Sequence, residues 1–157
     1  MSVDSSSLFR LVYRSHSGLE GSAQEKQSAI DVIVKRSGER NASAGITGAL
    51  MFTHELFIQA LEGPAAAVEA AFDRICCDLR HREIEVVECS PILECGFGDW
   101  SMRQLVPDIS IEEHLSCAVD AEPSSENAIR AMKLMVALAR PSMVRDHHVA
   151  PPAVLFR

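Results

Sequence analysis

Residues 8–15 (LFRLVYRS) place Leu11 and Tyr13 on one face of an extended segment, and their aromatic and β-branched neighbours predict a first strand. A turn containing Gly and Ser follows at 17–22. From 23 to 37, Ala29, Ile30, Ile33 and Val34 recur at helical spacing, with Lys35 and Arg36 suited to the negative end of the helix dipole and Gly38 as a stop. Two apolar runs, 45–52 (GITGALMF) and 56–61 (LFIQAL), are joined by Thr53, His54 and Glu55 and predict a hairpin. Gly63 and Pro64 break the second strand. The alanine-rich stretch 65–79 then sets Val68, Ala71, Phe72 and Ile75 on one face of a second helix. Residues 84–93 predict a fourth strand and 100–106 a shorter fifth.

The order βαββαββ predicts an α+β fold of ferredoxin-like type, an antiparallel-rich sheet with two helices on one face. Beyond Pro107 the pattern turns helical. A short helix is expected over 109–119 and a stronger one over 124–139, capped by Ser124 or Ser125 and ended before Pro141. Ala128, Ile129, Met132, Met135 and Val136 form the apolar stripe of that last helix. The expected organisation is a domain at 8–106, a helical extension at 107–140 and a tail at 141–157.

Composition narrows the classes. With 157 residues, 47% of them hydrophobic, one domain can bury a real core without disulfides or metal. A formal charge of -7 and a single Trp and Tyr argue against a nucleic-acid partner, whose recognition needs cations and stacking platforms. The 5 cysteines are odd in number and form no CxxC pair, which suggests reduced thiols in a cytoplasm. Cys76-Cys77 and His147-His148 lack partners at ligand spacing, so no metal site is assigned. No basic and apolar leader opens the chain and no run of about 18 apolar residues occurs, so neither secretion nor a membrane span is expected.

Several polar residues interrupt apolar runs. Tyr13 alone reads as a core tyrosine, and Gln59, between Phe57 and Leu61, as a structural amide that must be satisfied where it is buried. Asn41 would serve as a turn residue after the first helix, and Arg74 and Asp78, four apart, as a surface ion pair of the second. Trp100 and Met102, two apart, are expected to share a face of the fifth strand, with core packing as the plain reading.

The motifs taken together carry more. In order they are LVYRS at 11–15, NASAGITGAL at 41–50, FIQALEGP at 57–64, RI at 74–75, DLRH at 78–81 and WSM at 100–102. From about residue 8 to 105 the chain resembles a BLUF domain, a blue-light sensor using flavin.

That resemblance implies a flavin held non-covalently between the two helices: FAD, with FMN or riboflavin sharing the same ring. It implies Tyr13 as photochemical electron and proton donor, Gln59 as the amide linking it to the flavin, and Asn41 as a hydrogen-bond partner of the ring. It further implies Ile33 over one ring face and Arg74, Asp78, Arg80 and His81 near the pyrimidine edge or the tail. Met102 or Trp100 would adjoin Gln59. After excitation and rapid return, a rearranged Gln59 would persist and shift the flavin spectrum to the red.

A Gln amide suits such a switch because it offers both an acceptor and a two-proton donor. Residues 107–157 are too few for a cyclase or phosphodiesterase, so the expected protein is not an enzyme and signals by contact with a separate protein or a second copy of itself. Two other readings stay open: a flavin-free interaction module, and an acylphosphatase-like hydrolase. The latter would need an anion cradle after the first strand, where SHSGLEGS has only two separated glycines. No GxSxG, HExxH or P-loop motif is present.

Overall fold

Alternation of apolar residues builds the sheet on which everything else rests. In the computed structural model, which describes residues 7–53 and 55–106, β1 spans Leu8–Ser17 and buries Leu11, Val12 and Tyr13 on alternating faces. β2 (Thr47–Thr53) and β3 (Leu56–Pro64) form the expected hairpin, with Glu55 at φ 60 in its turn. β4 is His81–Ile92 and β5 is Arg103–Leu105. The strand order is β4-β1-β3-β2-β5, antiparallel except where β5 runs parallel to β2. This α+β, ferredoxin-like arrangement is the one expected.

One face of the sheet carries both helices. There Leu11, Tyr13 and Leu61 pack with Val68 and Ala71 of α2 (Ala65–Cys76), while Leu50 and Phe57 pack with Ile30 and Ile33 of α1 (Ala23–Ala44). The opposite face buries Val12, Ala49, Met51, Ile58 and Ala60 with Phe97 and Leu105. Period-two alternation therefore divides each central strand between two apolar layers.

α1 starts on a capping box. The Ser22 hydroxyl accepts from Glu25 N–H at 3.2 Å and the Glu25 carboxylate accepts from Ser22 N–H at 2.7 Å. Its end corrects the sequence expectation, because the helix passes through Gly38 and stops only at Gly45, whose φ of 70 is left-handed. A Cβ at Gly38 would stand 3.4 Å from Ser101 Oγ and 3.7 Å from Met102 Cβ, ordinary contact distances, so glycine is not required there by space. Asn41 consequently lies in the last turn of α1, not in a loop after it.

α2 is shorter than expected. Past Cys76 the chain tightens, with Asp78 N–H donating to Ile75 C=O at 3.0 Å and the Asp78 carboxylate accepting from Arg80 N–H at 3.0 Å. Asp78 has thus left the helix, and its ion pair is with Arg80 rather than Arg74. β4 accordingly begins at His81, three residues before the expected start.

The connection from β4 to β5 also departs from the pattern. Residues 96–102 bend and turn before the short β5, so strand alternation does not govern Trp100 and Met102. They pack on opposite faces: Trp100 against the layer around Val12 and Ile58, with Arg103 over its ring at 3.9 Å, and Met102 in the helix-side layers. The expected helices at 109–119 and 124–139 and the tail at 141–157 lie outside the described residues.

Candidate functional site

α1, α2 and the middle of β3 enclose a cleft of about 640 Å³, counting its open mouth. Ile33, Leu61, Ala71 and Ile75 give it aliphatic walls, while Asn41, Gln59, Arg74, Asp78, Arg80 and His81 give it polar edges. Asn41 and Arg74 are placed by helix ends, Asp78 and Arg80 by the turn after α2, and His81 by the start of β4. Gln59 comes from a central strand.

Strand pairing sets the key contact. Tyr13 on β1 lies directly across from Gln59 on β3, and both side chains point to the helix side. Tyr13 is fully buried and Gln59 is 3% exposed. The Tyr13 hydroxyl donates to Gln59 Oε1. The other end of the amide has a poor partner, since among the described residues Gln59 Nε2 reaches only the Met102 sulfur at 3.7 Å, a weak acceptor. A buried amide donor so weakly satisfied, at the wall of a cleft, fits a ligand that presents an acceptor there.

Asn41, 3% exposed, donates from Nδ2 to Ser101 C=O at 2.8 Å, and its Oδ1 has no partner among the described residues. Its second amide hydrogen and its carbonyl oxygen are available to a ligand edge. Asp78 is clasped by Arg80, with Nε at 2.9 Å and Nη2 at 2.5 Å, and those hydrogen bonds lower its carboxyl pKa and raise that of the guanidinium. Arg74 lines the same cleft without an ion pair among the described residues.

Burial controls the protonation of the aromatic pair. The Tyr13 phenol is pushed well above its ordinary pKa, first by burial and then by the charges of Asp78 and Cys76, so it stays neutral. His81 is held down to about 4, mainly by burial, with Asp78 opposing and Arg80 assisting. Its Nδ1 lies 2.8 Å from Ser15 Oγ, and its ring meets Tyr13 edge-on at 5.9 Å and Phe57 at 4.6 Å.

The cleft therefore gathers Ile33, Asn41, Gln59, Arg74, Asp78, Arg80 and His81, with Tyr13 and Met102 immediately behind Gln59. Trp100 is not among them. Arg36, Ser37 and Arg40 also line the cleft and were not anticipated. Their signal was the helical spacing from Ile33 to Asn41, hidden once Gly38 was read as an end. Ser15 was missed as the partner of His81, and Ser101 as the partner of Asn41.

Comparison with known proteins places the chain in a family. The family described as "BLUF: Sensors of blue-light using FAD" matches residues 8–103. A photoactivated adenylate cyclase subunit beta of Euglena longa is 33% identical over 81 residues, covering 51% of this chain and 9% of that protein. The blue light- and temperature-regulated antirepressor BluF of Escherichia coli (strain K12) is 35% identical over 96 residues, covering 61% of this chain and 23% of that protein. This chain thus corresponds to a small part of either relative. Among solved structures, the dark state of the BLUF protein BlrB superposes with a TM-score of 0.70 at 29% identity, covering 85% of this chain and 98% of that one. Klebsiella pneumoniae BlrP1 with FMN and cyclic diGMP gives 0.62 at 28%, covering 83% of this chain and 34% of that one.

Proposed function

The chain belongs to the BLUF family of blue-light sensors using FAD, and on that premise we propose that its cleft holds an oxidised flavin whose excitation is recorded by the Tyr13–Gln59 pair. The observation that carries this reading is the asymmetry of the Gln59 amide: its oxygen is held by Tyr13, and its nitrogen is left almost free at the cleft wall. Aliphatic walls suit a planar ring, and the remaining hydrogen-bonding capacity of Asn41 suits its polar edge. Ile33 would cover a ring face, with Arg74, Asp78, Arg80 and His81 at the pyrimidine side or the tail. When bound, the flavin supplies absorption of blue light and a site that accepts an electron and a proton.

The protein's own contribution follows from burial. Tyr13 has no water to solvate a charge, so losing an electron requires losing the proton as well, and the exit for that proton is Gln59 Oε1. Gln59 then has two arrangements of similar energy. In one its oxygen faces Tyr13; in the other, reached by rotation or tautomerisation, its donor and acceptor roles are exchanged. A neutral hydrogen bond is worth about 1 kcal/mol net, so the weak hold of Met102 on Nε2 keeps the exchange cheap.

The family's domain senses light and is not itself an enzyme. We assign the output to contact with a separate signalling protein or a second copy of the chain, in the cytoplasm. No helix among the described residues is long and apolar enough to cross a membrane. An acylphosphatase-like reading fits poorly, because Asn41 sits inside a helix rather than in a loop and the segment at the end of β1, SHSGLEGS, has only two separated glycines for an anion cradle.

The test is visible absorption of protein purified in darkness, recorded before, during and after blue illumination. A yellow protein with a small red shift that reverses in darkness is expected, and Tyr13→Phe and Gln59→Leu should keep the flavin while losing the shift. Retention of the same reversible shift in either flavin-loaded variant would overturn the mechanism. Protein that takes up no flavin would overturn the photoreceptor reading and favour a flavin-free interaction module.

A further inference from the structure

α2 stands between two cavities. Ala71, Arg74 and Ile75 line the cleft described above, whereas Ala65, Val68, Glu69 and Phe72 recur at helical spacing along its other side and line a groove of about 910 Å³, counting its open mouth. The two share no lining residue among those described. The groove arises where α2 leaves the outer part of the sheet uncovered. Leu11 of β1 pairs there with Cys89 of the edge strand β4, and both reach the groove together with Phe9.

Its lining is apolar with one exception. Leu11 and Val68 are buried, and Phe9 and Phe72 are half-buried, so floor and walls are aliphatic and aromatic. Glu69 is the one charged side chain among the lining residues; it is exposed and makes no ion pair among the described residues. In a chain of formal charge -7, with basic residues absent from the lining, that carboxylate makes the mouth negative. Phe72 does more than close a wall. Its ring centroid lies 5.6 Å from that of Tyr13, tilted by 53°, and the Tyr13 hydroxyl donates to Gln59. One ring thus separates the groove from the buried phenol.

We propose that this groove binds a small amphiphile, an apolar body ending in a protonated amine, and that its occupancy is felt at Tyr13 through Phe72. A concave site with apolar walls and a single polar anchor is the form that small-molecule sites take. The apolar body displaces water from Phe9, Leu11, Val68 and Phe72, and the ammonium meets Glu69, where a carboxylate head would be repelled. A body packed on Phe72 changes how that ring leans on Tyr13, and aromatic pairs are sensitive to such geometry. The binding stands on the groove alone. Its effect at Tyr13 rests on the reading of the Tyr13–Gln59 pair as the light-driven switch.

The experiment is calorimetric titration of the full chain in darkness with n-octylamine, octanoate and 1-octanol. Octylamine should bind about fivefold more tightly than octanoate, the scale of one exposed charge contact, with the preference shrinking in high salt. Glu69→Gln should remove that preference and leave octanol binding as it is in the wild type. Ala66→Phe, which fills the groove from an exposed position, should abolish binding of all three. In flavin-loaded protein, saturating octylamine should change the rate at which the red shift reverses in darkness by about threefold. Phe72→Leu, which keeps an apolar wall, should still bind octylamine and lose that response.

Absence of binding would overturn the site, and a dimer seen by light scattering in the same sample would then identify a second copy as the occupant of the groove. Equal affinity for octylamine and octanoate, or binding undiminished in Ala66→Phe, would overturn it as well. Octylamine binding with an unchanged dark reversal would overturn the link to Tyr13. A chain that takes up no flavin would instead overturn the photoreceptor reading, while the calorimetry, which needs no flavin, still decides the groove. The comparison of amine with carboxylate uses the wild type alone and stands should a variant fail to fold.

Discussion

Replacing His81 with glutamine is expected to flatten the pH dependence of stability between roughly pH 7 and pH 4.5. His81 is 8% exposed, and burial depresses its pKa from 6.5 to about 4. The groups facing it are Ser15, Tyr13 and Phe57 by contact, with Asp78 and Arg80 acting through charge. Between those two pKa values the unfolded chain takes up a proton that the folded chain refuses. The contribution is therefore fully present above 6.5, falls as the pH drops, and levels off below about 4. At 1.36 kcal/mol per unit the full depression is worth about 3 kcal/mol, of which about 2.5 is lost by pH 4.5. The Asp78 carboxyl, whose pKa is lowered from 3.8, responds only below that window. Denaturant unfolding of the flavin-free chain, followed by circular dichroism across this range, reads the difference. Parallel profiles for wild type and His81→Gln would refute the burial of a neutral imidazole.

Three further substitutions probe the frame around the site. Glu62, fully buried, accepts from Arg10 Nε at 2.7 Å and from Gly96 N–H at 2.5 Å, so Glu62→Ala should cost about 3 kcal/mol in denaturant unfolding by leaving a part-buried cation behind. Gly48→Ala should cost about 2 kcal/mol or more, because its Cβ would stand 2.3 Å from the Ala60 carbonyl oxygen of the neighbouring strand. A shift in thermal midpoint checks it. Ser22→Ala removes the capping box of α1 and should cost about 1 kcal/mol, read in the same way.

How far the sequence could be read depended on whether a residue answers to its neighbours in the chain or to neighbours in space. Leu11, Tyr13, Phe57 and Leu61 obey a period of two, so the strands and their helix-facing sides were available from pattern alone. Val68, Ala71 and Ile75 did the same for α2. Gly38 was misread because local rules treat glycine after a basic turn as an ending, whereas the helix runs through it to Ala44, where Gly45 in the left-handed region supplies the stop. The same error hid Arg36 and Arg40 as one cleft-facing ridge and moved Asn41 into a loop. Trp100 and Met102 could not be sorted by alternation because the backbone between them turns, and only tertiary packing decides which face each reaches.

β3 connects these observations to signalling. Gln59 and Glu62 are three apart on that strand and therefore face opposite sides of the sheet, yet both hold the β4–β5 connection: Gln59 through Met102, and Glu62 through Gly96. Between those points Phe97 is buried in the far layer, Trp100 C=O accepts from Gly48 N–H at 2.9 Å, and Ser101 C=O accepts from Asn41. On the proposed mechanism, a reoriented Gln59 amide changes what it offers Met102 while the Glu62 anchor stays in place. The segment between them must then absorb the difference, and its two faces are the cleft and the far apolar layer. A small change at one amide thereby reaches the side of the sheet away from the helices without requiring either helix to move.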